Sequence, residues 1–444
     1  MKKFIAITSI VFWSNFLLGN TLEVCPACAV STLKKAIELA QPCDTIFVKK
    51  GTYKEGNILI DKDLTLVGEN LPILDGGGNA EILTVHNDYF HLEGFLIQNI
   101  GTSYTEDRAG VRMKECQNFT IKNNRFLDAF FAVYLEHSKD GVVEGNFVKG
   151  HAKDEAGSGN AIHLWYCENI SVLNNHVSGH RDGIYLEFVN NSHIVGNLSE
   201  GNLRYGLHFM FSNDDFYWKN TFRDNGAGVA VMYSKQIDML QNVFEKNWGG
   251  AAYGLLLKEI HDSKIEQNEF RENTVGIFAE TSNRLTITSN HFNQNGWAMK
   301  ISGGCQEMVV HQNSFVSNSF DLAVQTSGTA NNFDGNFWSE YAGYDLDKDG
   351  VGDVPYRPMK LFSYVVGRTP EAMVLLRSLF VDILNFSEKV SPVFTPENVV
   401  DNRPLMKQNV SIAENSSIQK FNEDLSLTST SPITPEVNSG QANH

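Results

Sequence analysis

Two groups of side chains carry residue types and spacings that could do chemistry. The first is His208, Met210 and Met232. Imidazole nitrogen and thioether sulfur are soft ligands that suit copper, Cu(I) above all. The plainer alternative for the same residues is an apolar contact stripe for another protein. The second is the run Asp345-Leu-Asp-Lys-Asp-Gly-Val-Gly-Asp353. Alternate carboxylates converge when a glycine lets the loop turn, so Asp345, Asp347, Asp349 and Asp353, with the carbonyl of Val351, offer hard oxygens suited to Ca²⁺. Tyr356 stands where an EF-hand loop would have its closing Glu. The alternative here is a turn with solvated carboxylates.

The element that must hold the first group is a strand that recurs. Gly183-Ile-Tyr-Leu-Glu-Phe188 returns as Gly206-Leu-His-Phe-Met-Phe211, Gly228-Val-Ala-Val-Met-Tyr233, Gly254-Leu-Leu-Leu-Lys258 and Gly276-Ile-Phe-Ala-Glu280. Each is a small residue followed by apolar and variable positions in alternation, which is the period of a strand. An Asn before a Phe-like residue confirms the register at 124, 146, 175, 197, 220, 242, 268, 290, 313 and 336, with successive gaps of 22, 29, 22, 23, 22, 26, 22, 23 and 23. Asn and Gly tolerate the left-handed backbone of sharp corners. The expectation is an all-β, right-handed parallel β-helix of about ten coils with 22–23-residue repeats, the hand following from the crossover rule.

In this frame the first and third residues after the glycine are apolar and fill the tube; the second and fourth point outward. The outward positions include Tyr134, His163, Trp165, Tyr185, His208, Met210 and Met232, which predicts an exposed aromatic and Met stripe. Tyr134, Trp165 and Tyr185 are therefore expected to dock a partner. His151, His176 and His180 fall at corners and loops and are expected to be surface histidines. The long gap holds a surplus around residues 151–159, and surplus residues in a solenoid leave as loops on one face.

Composition narrows the partners. With 36 Lys and Arg against 52 Asp and Glu the formal charge is −16, which argues against nucleic acid and anionic lipid. Met1-Lys-Lys followed by an apolar run to Leu18 reads as a secretory signal peptide over residues 1–20, so the protein is expected outside the cytoplasm. In an exported chain Cys25 and Cys28 are a disulfide or a soft-metal thiolate pair. Cys116 and Cys167 are two coils apart, roughly 10 Å, too far to bridge.

The expected organisation is a β-helix with an N-terminal cap over residues 21–340, an Asp-rich metal loop over 341–360, a C-terminal helix and docking tail over 361–407, and a disordered tail over 408–444. Residues 31–40 are the capping amphipathic helix. Residues 370–386, apolar almost all round, form a helix buried on the last coil or in a partner, with Met373, Leu376 and Phe380 as docking residues. No paired carboxylates, nucleophile motif or phosphate-cradling loop stand out, so no enzymatic activity is expected.

His180-Arg-Asp-Gly-Ile-Tyr-Leu-Glu-Phe188, Arg204-Tyr-Gly-Leu-His-Phe-Met-Phe-Ser-Asn-Asp-Asp215 and Gly228-Val-Ala-Val-Met-Tyr-Ser-Lys235 resemble the core of NosD proteins, and the resemblance runs from about Thr21 to Lys407. It implies a periplasmic subunit working with an ABC transporter of a NosF-type ATPase and a NosY-type membrane subunit. It also implies a NosL-type copper lipoprotein as donor and nitrous oxide reductase as the protein whose copper centre is matured. In that setting the helix and the tail ending at Lys407 would dock on the membrane subunit, touching the membrane only through it. The alternative is an exported carbohydrate-binding or carbohydrate-cleaving β-helix.

Overall fold

Short strands that alternate apolar and variable residues can bury only one face each, and a chain of them closes a core by winding into a tube. The computed structural model describes residues 19–103, 105–250, 252–324, 331–376, 378–390 and 399–408. The expected signal peptide and the tail beyond 408 lie almost wholly outside these. The chain forms three parallel sheets of 14, 12 and 13 strands, with every neighbour one coil away in sequence. The tube has about 13 turns, more than the ten expected, because the first coils carry strands such as Leu64–Gly68 and His91–Glu93 without the Asn-Phe marker.

The inward residues form one continuous core in which Leu186, Leu207, Phe209, Val229 and Val231 are fully buried. Phenylalanines stack in register down one corner of it, with Phe244, Phe270, Phe292 and Phe315 at centroid spacings of 4.6 to 4.9 Å and Trp338 closing the stack. The Asn ladder holds the turns together. From Asn124 to Asn336 each main-chain N–H donates to the Oδ1 of the Asn one coil on, at 2.8 to 3.0 Å. Each Nδ2 also donates to a strand carbonyl, as Asn220 does to Ile194 at 2.8 Å. A second ladder, unforeseen from the sequence, runs Asn202, Asn225, Asn247, Asn273, Asn295 and Asn318.

Both ends of the tube are covered. The helix Leu33–Leu39 lies against the first strands, with Leu33, Ala36 and Ile37 buried; the Thr32 side chain and the Glu55 carboxylate accept its free N-terminal amides. At the far end Asp401, fully buried, takes the place of the next rung. Its carboxylate accepts the main-chain amides of Gly335 and Asn336 and the Trp338 indole N–H, all at 2.9 Å. Leu405 bridges to Phe337 and Val351. The 401–405 stretch, expected to dock on a partner, is thus already engaged inside the molecule as the cap of the last coil.

The single helix expected over 370–386 is instead a 3₁₀ turn, Pro370–Leu375, and a separate helix, Leu379–Val390, preceded by the helix Leu361–Arg368. Phe362, Val366 and Val381 are buried against Trp297 and Phe320 on the last coils. The rest is not buried: Val374, Leu379, Phe380, Ile383 and Phe386 are exposed, Met373 less so, and Leu376 is half-buried. One side of the segment packs on the tube and the other is open. Among the described residues no helix is long and apolar enough to cross a membrane.

Candidate functional site

The sheet built from Phe131–Glu136, Ile162–Trp165, Asp182–Glu187, Tyr205–Met210 and Ala227–Met232 carries the outward residues of interest. Register pairs Tyr134 with His163, His163 with Tyr185 and Tyr185 with His208, and sets Met210 beside Met232. At one strand spacing the rings lie face to face, with centroids 4.6 Å apart for Tyr134 and His163, 4.8 Å for His163 and Tyr185, and 4.6 Å for Tyr185 and His208. The Arg112 guanidinium covers the outer face of Tyr134, 4.5 Å from its centroid.

This stacking corrects the expectation of an exposed stripe. Tyr134 is 7% exposed, Tyr185 8% and His208 4%, because outward rings on successive coils cover one another. Tyr134 and Tyr185 therefore offer little surface for docking, whereas Trp165, Met210 and Met232 remain half-exposed at the edge of the sheet.

Both ring nitrogens of His163 and both of His208 are buried without a hydrogen-bond partner. Burial, reinforced by nearby Arg181, pushes His163 down to about 3. Burial also lowers His208, against the pull of Asp182. Asp182 lies 3.9 Å from His208 Nδ1, too long for a hydrogen bond. Its carboxylate is tied instead to the guanidinium of Arg204, with Nε donating at 2.9 Å. Burial opposes the Asp182 charge, but Arg204 and His208 outweigh it and hold the group at about 2.

Met210 Sδ sits 3.6 Å from the Tyr185 hydroxyl, which donates to it. The three copper candidates are thus divided. Met210 and Met232 are neighbours in register, while His208 stacks on Tyr185 and faces Asp182 and Tyr205. Beside the two methionines runs a second ring ladder that sequence reasoning missed: His137, Tyr166, Phe188, Phe211 and Tyr233, at spacings of 4.5 to 5.1 Å. These residues directly follow the outward file, all at φ between 50° and 55°, a costly backbone for aromatic side chains. The repeat of an aromatic at that one position of the frame was the available signal.

The Asp loop does converge: ligand oxygens of Asp345, Asp347 and Asp349 lie within 4.8 Å of one another. The carboxylates also accept from the loop's own amides, Asp345 from Gly350 at 3.0 Å, Asp349 from Val351 at 2.7 Å and Asp353 from Leu346 at 2.6 Å. Cys25 and Cys28 form a disulfide, and Cys116 and Cys167 are buried free thiols. His176 pairs with Glu200 at 2.8 Å, but His180, expected at the surface, is 2% exposed.

Fold and site together define a parallel β-helix with a ring-stacked outer face and a thioether pair on its rim. The family model for NosD, described as a periplasmic copper-binding protein, matches residues 151–343, which include His163, Tyr185, His208 and both methionines of that face. The chain is 28% identical over 419 residues to a probable ABC transporter binding protein NosD of Pseudomonas aeruginosa, covering 86% of this chain and 95% of the relative. It is 29% identical over 374 residues to the protein of that name from Stutzerimonas stutzeri, covering 80% and 85%. The resemblance drawn from the sequence holds: the chain is similar to NosD proteins over most of its length. A solved PL6 alginate lyase in complex with trisaccharide superposes with a TM-score of 0.52 at 14% identity, over 75% of this chain and 91% of that one, a likeness of fold alone.

Proposed function

We propose that this protein is a non-enzymatic, periplasmic copper-handling subunit that docks on an ABC transporter and helps assemble the copper centre of nitrous oxide reductase. The observation that carries the reading is Met210 beside Met232 on the rim of a sheet whose buried imidazoles, His163 and His208, have no partner. Copper here is cargo. Two thioethers at the surface suit transient Cu(I) binding, and His208, kept neutral by burial and two residues from Met210 in the same strand, is an imidazole to which the ion would pass. The names of the family and of its two relatives support copper and a transporter as the setting. A NosL-type lipoprotein is the donor in this reading, and NosY-type and NosF-type subunits are the transporter.

The open side of Leu379–Val390, with Leu379, Phe380, Ile383 and Phe386, is the surface we assign to the membrane subunit, with Met373 and Leu376 at its edge. Trp165, on the same rim two strands from Met210 with Glu187 between them, is assigned to the copper donor or acceptor protein. The Asp loop is assigned a structural Ca²⁺, supported by its converging oxygens and by one Asp345 oxygen buried without a partner. A carbohydrate-cleaving role has less support, because the fully buried Asp182 carboxylate is committed to Arg204.

The test is complementation in a strain that lacks the chain but makes the reductase. Wild type restores the copper centre. A Met210→Leu/Met232→Leu variant folds and co-purifies with the transporter but leaves the reductase short of copper, and a Phe380→Asp/Phe386→Asp variant fails to co-purify. Full metallation of the reductase by the methionine variant would end the proposal.

A further inference from the structure

The first coil carries a cluster that the copper reading does not use. Glu23 lies in the strand Thr21–Val24, and Cys25-Pro-Ala-Cys28 follows it directly. Ligand atoms of Glu23, Cys25 and Cys28 lie within 4.8 Å of one another. The cluster is at the surface: Glu23 is exposed, and both cysteines are half-buried beside the exposed Pro26 and Ala27. It stands at one end of the tube, and the helix Leu379–Val390 packs at the other.

Two observations set the Cys25–Cys28 disulfide apart from a structural staple. The first is that the chain holds this loop without it. Cys25 N–H donates to the Val30 carbonyl at 3.3 Å, Cys28 N–H to the Cys25 carbonyl at 3.0 Å, and Lys49 N–H to the Val24 carbonyl at 2.8 Å. Gly51 leaves room for Pro26, since a Cβ there would lie 2.8 Å from Pro26 Cγ. A bridge between residues three apart closes a short loop, the kind that restricts the unfolded chain least. The second is the Glu23 carboxylate. Its Oε1 lies 3.4 Å from Cys28 Sγ, and a disulfide sulfur has no proton to give it. Lys49 Nζ, 2.9 Å from the same oxygen, holds the carboxylate there. Against a pair of thiolates that carboxylate is a third metal ligand, with Lys49 orienting it.

Exposed disulfides are the ones that exchange with thiols. We propose that Cys25, Cys28 and Glu23 form a Zn²⁺ site that opens when the disulfide is reduced. The reductant is a dithiol. It gives two electrons, the Cys25–Cys28 S–S bond breaks, and the dithiol leaves as a disulfide. The two new thiols lose their protons to water as zinc binds, and exchange with a disulfide of the same class runs the sequence backwards and releases the ion. Two thiolate sulfurs, one carboxylate oxygen and a water make the four-coordinate set that zinc takes. The uncharged thioethers of Met210 and Met232 favour Cu(I) instead, so the two sites differ in ion and in redox control. The proposal does not depend on the copper-delivery reading.

The test is titration of Zn²⁺ into the full exported chain before and after reduction by a phosphine that is then removed, with Ca²⁺ in excess so that the Asp loop does not take the ion. Reduced wild type binds one zinc more than the oxidised protein. The free thiols Cys43, Cys116, Cys167 and Cys305 are present in both states and cancel from the difference. Cys25→Ser/Cys28→Ser loses the increment. Glu23→Gln, at an exposed side chain, keeps the melting temperature and holds the added zinc about 10-fold more weakly, so it decides the matter should the double variant misfold. Met210→Leu/Met232→Leu gains the added zinc as wild type does. No increment on reduction, an increment kept by the double serine variant, or equal affinity in Glu23→Gln would each overturn the proposal and leave the bridge a staple of the first coil.

Discussion

Two files of side chains run along this tube, one residue per coil, and they obey opposite rules. In the Asn ladder from 124 to 336 every side chain receives and gives hydrogen bonds, and Asp401 supplies the last acceptor. In the ring file of Tyr134, His163, Tyr185 and His208 the same spacing gives close stacking, yet four ring nitrogens are buried with nothing to bind. A buried polar group without a partner costs about 1 to 3 kcal/mol. The ladder is what the solenoid needs to stand. The ring file carries a cost the solenoid does not need, which is the mark of a functional surface.

The largest effect expected from breaking this contrast lies in the ladder. Asn220→Ala removes the acceptor of the Asn197 amide and the donor to the Ile194 carbonyl, leaving buried groups unpaired. A loss of about 3 kcal/mol in denaturant unfolding is expected, and a loss below about 1 kcal/mol would mean the ladder is dispensable.

The ring file responds to pH. His163 is neutral in the folded protein down to about 3, whereas the unfolded chain binds its proton near 6.5. Below 6.5 the unfolded state therefore takes up the proton and the folded state does not, so stability falls with acidification by roughly 1 kcal/mol per pH unit from this group. His163→Phe keeps the stack and removes that dependence. The measurement is unfolding free energy against pH from 7 to 5; a variant as acid-sensitive as wild type would show that the ring is already satisfied in the native state.

The smallest effect concerns the Asp loop. It is held to the last coil through Leu405 and Val351, so removing Ca²⁺ by chelation is expected to lower the melting temperature by about 2 to 4 °C, the shift of roughly 1 kcal/mol. No shift, with Asp345→Asn equally silent, would make the loop a turn.

How legible this was depends on what each residue's position alone determines. The alternation around Gly183 and the Asn-Phe spacing specify strand, corner and coil without any distant contact, so the tube could be read directly. The coil count fell short because the first coils close with other residues, such as Leu92 and Ile97 inside and Gly94 at the corner. The exposure of Tyr134, Tyr185 and His208 was misread for a physical reason. Pointing outward from a strand means reaching solvent only when the next rung is small, and here the next rung is another ring. His180 was hidden by the same logic: its ladder role depends on Asn202, a coil away, and on a loop whose fold the sequence does not specify.

The central claim is that Met210 and Met232 hold copper. The direct measurement is competitive titration of Cu(I) into the exported protein under anaerobic conditions. The account predicts one Cu(I) per wild-type chain, held at least 10-fold more weakly in the Met210→Leu/Met232→Leu variant at unchanged melting temperature. Equal affinity in the two proteins would contradict it.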